Sequence, residues 1–165
     1  MTLLQVVIRV VLIGAGATAI MDAWLALLKR SGVQTLNFAF VGRWIGHLIC
    51  RGKLSHPSIG KAEPIPGELV IGWVTHYAVG AAFAGVFVAL QGIGWTSNPT
   101  LAPAVVMGVT TVVAPLFVMQ PAMGSGFAAS RTPAPLRNCL RSVANHTIFG
   151  IGLYLSACFI ESVVR

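Results

Sequence analysis

Four apolar stretches follow one another along the chain, covering about 6–28, 69–90, 101–123 and 143–160. Each is long enough to cross the roughly 30 Å hydrocarbon core of a bilayer as a helix. Because lipid offers no partner to an open backbone, and no alternating strand pattern is present, the pattern predicts four transmembrane helices. Pro115 lies inside the third stretch and predicts a kink, since it lacks an N–H and clashes with the preceding turn.

A shorter apolar run, "LNFAFVGRWIGHLIC", lies between the first two stretches. It is too short and too charged to span a membrane, with Arg43 and His47 among its apolar residues. Such a run is typical of a helix that lies in the interface plane. We therefore predict an interfacial helix over about 35–50, on the cytoplasmic face.

The second and fourth stretches share a spacing that indicates an internal repeat. "HYAVGAAF" and "HTIFGIGL" both carry a histidine four residues before a glycine and seven before a large apolar residue. These positions share one face of a helix. The predicted fold class is an all-α membrane protein with four transmembrane helices as two parallel-repeat hairpins, plus the interfacial helix.

Composition supports this class. The chain has 165 residues, of which 56% are hydrophobic and 9% charged. Soluble domains carry about 25% charged residues, so this chain could not cover its surface with polar groups in water. The length predicts a single transmembrane domain over 1–165.

The distribution of basic residues predicts the orientation. The net charge is +7, yet no lysine or arginine lies between 62 and 130. Basic residues instead follow the first and third stretches: Lys29, Arg30, Arg43, Arg51, Lys53, Lys61, Arg131, Arg137 and Arg141. By the positive-inside rule these loops are cytoplasmic and both termini are periplasmic. The expected partner is the lipid bilayer, and nucleic acid is not expected.

Three of these basic residues are also candidates for binding an anion or a lipid head group. Arg131, Arg137 and Arg141 could each hold a phosphate or a carboxylate. Topology and general lipid contact explain the same residues without a specific ligand. Both interpretations stay open at the level of sequence.

Each predicted span contributes one polar side chain on the cytoplasmic side of the midplane. They are Asp22, His76, Gln120 and His146. Ionisable residues inside a span are costly and are therefore functional candidates. We predict that these four side chains form a ligand-binding site.

Several chemistries fit a carboxylate and two imidazoles. Asp22, His76 and His146 could ligate a divalent metal, which is the candidate cofactor. The same groups could relay protons coupled to the movement of a solute, or the two imidazoles could be axial ligands of a haem. The structural alternative is that they only hydrogen-bond one another and lock the helices together.

Three functions follow. The first is a small inner-membrane transporter, or a transporter subunit, for a small solute or cation; a chain of this size would then be expected to act as a homo-oligomer. The second is a metal-, haem- or quinone-binding membrane enzyme or redox protein. The third is a structural or assembly subunit with no ligand.

Several segments resemble a known family. "LNFAFVGRWIGHL", "HPSI", "GWVTHYAVG", "MQPAMGSGFAASRTP" and "FGIGLYL" together resemble a family of small bacterial integral-membrane proteins known only as a domain of unknown function. The resemblance implies four transmembrane helices and a bacterial inner membrane. It implies no substrate, reaction or site residue.

Overall fold

The computed structural model describes residues 2–164, and these are helical without any strand. The five helices are α1 (Leu3–Arg30), α2 (Phe38–Arg51), α3 (Glu68–Gln91), α4 (Leu101–Thr110) and α5 (Pro135–Val164). Four segments are long and apolar enough to cross a membrane: Leu3–Arg30, Glu68–Gln91, Leu101–Ala122 and Pro135–Val164. The predicted all-α membrane fold with four spans is confirmed.

Two spans differ in detail from the predicted pattern. The α-helix of the third span ends at Thr110 and is followed by a π-helix over Ala114–Met119, an interruption that includes Pro115. The fourth span begins at Pro135, well before the apolar stretch that predicted it. Proline suits the first turn of a helix because the N–H it lacks would have no partner there.

The chain divides into two compact units. Unit 1 takes the residues up to 34, residues 77–111 and residues from 144 onward, and unit 2 takes residues 35–76 and 112–143.

In unit 1 the helices approach one another at small residues. A Cβ on Gly14 of α1 would lie 2.5 Å from the Cα of Ala81 on α3, and one on Gly108 of α4 would lie 2.6 Å from the Cα of Gly150 on α5. Because lipid gives apolar helices little reason to associate, such close backbone contact supplies much of the attraction in a membrane. The core of the unit includes Ile13, Ala84, Phe87, Phe149 and Leu153.

In unit 2, α2 packs against the first turns of α3. A Cβ on Gly42 would overlap the carbonyl oxygen of Glu68, so the two helices touch through their backbones. The Asn37 side chain caps the start of α2 by accepting a hydrogen bond from the Ala39 N–H at 3.0 Å. Gly52 ends the helix at φ 61°, a conformation that glycine adopts without steric cost.

The loop that follows α2 is fixed by backbone hydrogen bonds to the end of the third span. The His56 N–H donates to the carbonyl of Ala122 at 2.7 Å, and the Ile59 N–H donates to that of Met123 at 3.0 Å. A Cβ on Gly124 would overlap the Pro57 carbonyl oxygen. This loop therefore has a fixed position within unit 2.

Candidate functional site

The four predicted ligand-binding residues are divided between the two units. Asp22 and His146 belong to unit 1, whereas His76 and Gln120 belong to unit 2. Whether all four share one ligand stays a prediction. Their surroundings within each unit follow.

Asp22 lies on α1 and is half-buried. The Tyr77 hydroxyl of α3 is hydrogen-bonded to its carboxylate. A hydroxyl donor stabilises a carboxylate that has left water, without neutralising its charge. Within unit 1, Tyr77 thus joins α3 to the carboxylate on α1.

His146 lies on α5 and is held by Thr111, just after α4. The Thr111 hydroxyl donates its one proton to the Gly108 carbonyl at 2.6 Å. It must then accept from His146, whose Nδ1 lies 2.7 Å from Thr111 Oγ1. Because the hydroxyl proton goes to Gly108, this arrangement fits the tautomer of His146 that carries its proton on Nδ1.

A further hydrogen bond joins α1 to α5 at this level. Trp24 Nε1 donates to Asn145 Oδ1 at 3.0 Å. Trp24 is two residues from Asp22, and Asn145 is adjacent to His146. Within unit 1, the stretch of α1 with the carboxylate and the stretch of α5 with the imidazole are thus neighbours.

In unit 2, His76 packs among aromatic rings. Its ring centroid lies 4.5 Å from that of Phe38 on α2 and 6.0 Å from that of Trp73 on α3. His146, its counterpart in the predicted repeat, is held by a threonine hydroxyl instead. The matched spacing of the two histidines does not give them matched neighbours.

Gln120 begins the last turn of the third span, after the π-helix. Its Oε1 atom is buried and accepts no hydrogen bond from residues 2–164. A buried acceptor without a donor is uncommon in proteins. It is thus a candidate contact for a polar ligand within unit 2.

Asp22, His76 and His146 were predicted to ligate a divalent metal, and the groups that could do so are the histidine, cysteine, aspartate and glutamate side chains of residues 2–164. No three or more of these side chains are grouped so that they could hold a metal ion.

The three predicted head-group arginines lie in unit 2. Arg131 follows the short 3₁₀ turn Phe127–Ala129 and is exposed. Arg137 and Arg141 lie on the first turns of α5, the former exposed and the latter half-buried.

Two buried ion pairs were not predicted from the sequence. In unit 1, Arg9 of α1 pairs with Glu161 of α5. In unit 2, Arg43 of α2 pairs with Glu68 at the start of α3, at 2.8 Å. A signal for the first pair was present, because Arg9 lies near the start of the first apolar stretch and Glu161 directly after the fourth, at ends that the predicted topology places on the same side of the membrane.

A pair of buried histidines in unit 2 was also missed. The rings of His47 on α2 and His56 in the following loop are 4.8 Å apart, edge to face, and each residue is only 3% exposed. His47 Nε2 lies 2.9 Å from the Glu63 carbonyl oxygen. Among residues 2–164, His47 Nδ1 and His56 Nε2 have no hydrogen-bond partner. Both rings are therefore enclosed by unit 2 with one nitrogen each that lacks a partner among these residues.

Because His56 is buried, we expect unit 2 to lose stability as the pH falls. Burial, and then the charges of His47 and Lys53, lower the pKa of His56 below its ordinary value of 6.5. The unfolded chain takes up this proton as the pH falls below 6.5, but the folded chain resists, so the contribution of His56 to stability is complete above pH 6.5 and declines below it. Thermal unfolding in detergent between pH 7.5 and 5 would measure the decline. His56→Gln should flatten the profile, and an unchanged slope would contradict the prediction.

Comparison with known proteins assigns the family alone. No curated protein matches the chain, and no solved structure matches it either. A family described as "Protein of unknown function (DUF2938)" matches residues 11–160. That match covers most of the chain, including the second and third spans and the greater part of the first and fourth. It agrees with the resemblance noted from the sequence. The chain belongs to the DUF2938 family of proteins of unknown function.

Proposed function

We propose that this protein is a small membrane transporter, or a subunit of one, in which Asp22 and His146 exchange protons as a small solute or cation moves. The observation that carries the proposal is that unit 1 holds both ionisable side chains on neighbouring helices inside apolar spans. Each is bound by a hydroxyl, Tyr77 for the carboxylate and Thr111 for the imidazole. Ionisable groups at such depth commonly mark ion pathways and proton relays.

For orientation, we propose that the chain lies in the bacterial inner membrane with both termini in the periplasm. The basic residues support this, since they follow α1 and the third span, whereas the connection between α3 and α4 has none. Short basic loops stay on the cytoplasmic side. A homo-oligomer belongs to the same proposal, because four spans enclose little space for a pathway.

Proton movement in proteoliposomes tests the proposal. Purified protein is reconstituted with a pH-sensitive dye inside, and a potassium diffusion potential drives protons inward. Wild-type protein should change the internal pH faster than empty liposomes. Asp22→Asn should reduce the rate to that of empty liposomes, because the amide accepts the Tyr77 hydrogen bond but cannot titrate.

Two variants serve as controls for the carboxylate and the imidazole. Tyr77→Phe removes the hydrogen bond but leaves the carboxylate, so it should keep part of the rate. Thr111→Val, which removes the partner of His146, should slow transport more than Thr110→Val, whose hydroxyl bonds only within its own helix. A wild-type rate in Asp22→Asn would rule out the proposed role of Asp22.

The second candidate is a structural or assembly subunit without a ligand. It is favoured by the close backbone contacts of unit 1, where hydrogen bonds such as that between Trp24 and Asn145 also hold the helices together. For such a protein Tyr77→Phe should lower thermal stability, while Asp22→Asn should leave it unchanged and no proton flux should appear in any variant. The same set of variants thus separates the two candidates.

A further inference from the structure

A preformed groove lies on unit 2, apart from the residues assigned to proton exchange. Its volume is about 510 Å³, within the range of small-molecule sites. One wall comes from residues 54–55 and the other from residues 117–131. The hydrogen bonds from His56 to Ala122 and from Ile59 to Met123 hold these two walls together at their base.

Most of the groove wall is apolar and accessible. Phe117, Val118 and Phe127 line it and are 49%, 54% and 65% exposed. Exposed side chains of this kind suit a hydrocarbon chain better than a polar solute.

The lining of the groove also includes polar and positively charged side chains. Arg131 lines it together with the serines Ser55 and Ser130. The chain has four acidic residues, and its three glutamates pair with other arginines. Arg131 forms no ion pair within residues 2–164 and is exposed, so its charge is available to an anion from outside these residues.

The backbone of this wall is strained. Ala128 and Ala129 have φ values of 49° and 60°, in the left-handed region that costs energy for residues other than glycine. The Ala128 carbonyl accepts a hydrogen bond from Cys139 Sγ at 3.2 Å, and the Arg131 N–H donates to Ser125 O at 2.9 Å. Strain that is held in place in this way is typical of binding sites. Here the two hydrogen bonds fix the backbone between Phe127 and Arg131, which both line the groove.

We propose that the groove binds one anionic phospholipid. Its phosphate contacts the Arg131 guanidinium and the hydroxyls of Ser55 and Ser130, and an acyl chain lies along Phe117, Val118 and Phe127. Apolar side chains and a guanidinium without an ion-pair partner among residues 2–164 line the same groove, and this set complements the combination of chain and phosphate. A zwitterionic lipid would bring its own positive charge toward Arg131 and bind less well. The site selects Arg131 among the three arginines that the sequence offers.

Lipid titration of the purified full-length protein in detergent tests the proposal, with bound lipid counted by native mass spectrometry. Phosphatidylglycerol should bind more tightly than phosphatidylcholine with the same acyl chains. Arg131→Gln should reduce that preference by about tenfold, the effect of losing one charge-assisted contact. The matched control is Lys61→Gln, which removes an exposed charge of unit 2 outside the groove and should keep the wild-type preference.

A second variant tests the apolar wall. Phe127→Ser should weaken both lipids to a similar degree, because it removes contact with the acyl chain and leaves Arg131 in place. Equal binding of the two lipids by wild-type protein would overturn the proposal, as would an equal loss of preference in Arg131→Gln and Lys61→Gln. Inorganic phosphate that competes as well as phosphatidylglycerol would overturn the assignment to a lipid. Thermal unfolding of each variant shows that it is folded.

Discussion

Replacing Arg43 with glutamine is expected to lower the free energy of unfolding by about 3 kcal/mol, because it breaks a buried ion pair. The Arg43 side chain is 9% exposed and that of Glu68 is 17% exposed. Arg43 Nε and Nη2 each donate to a different carboxylate oxygen of Glu68 at 2.8 Å. Such a two-point contact is among the stronger polar interactions in proteins.

The same guanidinium also binds the loop that follows α2. Arg43 Nη1 donates to the carbonyl of Ala62 at 3.0 Å, and lies 3.3 Å and 3.4 Å from the carbonyl oxygens of Ile59 and Gly60. A glutamine amide is too short and has too few N–H groups to replace these donors. The variant therefore leaves both the Glu68 carboxylate and several carbonyls without their partner.

Arg51→Gln is the matched control, because it breaks an ion pair of the same type on the same helix. Arg51 and Glu63 are also 2.8 Å apart, but their side chains are 48% and 67% exposed. Pairs in water gain little from their contact, so the stability of this variant should stay close to that of wild type. Unfolding of both variants in mixed detergent micelles would measure the difference. Equal losses would mean that burial does not determine the strength of these pairs.

The fold could be predicted from the sequence because its main elements depend on local patterns. Apolar length specified the four spans, and Pro115 specified where the third is interrupted. The extension of α5 back to Pro135 could not be predicted in this way. Residues 135–142 include Arg137 and Arg141 and lack a continuous apolar pattern, so hydropathy placed the start of the predicted span too late.

The candidate site was predictable only as a set of unusual residues. Asp22 and His146 are recognisable because ionisable groups are costly inside an apolar stretch. Their partners Tyr77 and Thr111 are not, since the rotation of each helix decides which hydroxyl faces which acceptor. The spacing of residues shows which side chains share one face of a helix. It does not show which helix packs against that face.

In unit 1, removing either member of the Arg9–Glu161 pair should have the larger effect, about 3–5 kcal/mol. Arg9 is 7% exposed, and its Nη2 bonds both to Glu161 Oε2 and to the carbonyl oxygen of Thr96 at 2.7 Å. It thereby ties α1 to α5 and to the connection before α4. Arg9→Met leaves the carboxylate without this guanidinium, and Glu161→Gln leaves the guanidinium without its counter-charge.

The double variant Arg9→Met, Glu161→Met should recover most of the stability lost by Arg9→Met alone. Two apolar side chains of similar length can replace a buried pair at little cost, because the desolvation penalty of both charges disappears with them. Unfolding of the two single variants and the double variant in detergent gives the coupling energy of the pair. A double variant that is no more stable than the singles would show that Thr96 and the packing of these side chains, rather than the charge pair, hold this end of unit 1. Proton flux through the recovered double variant then separates structure from transport: if the pair only joins the helices, the flux should match that of wild type.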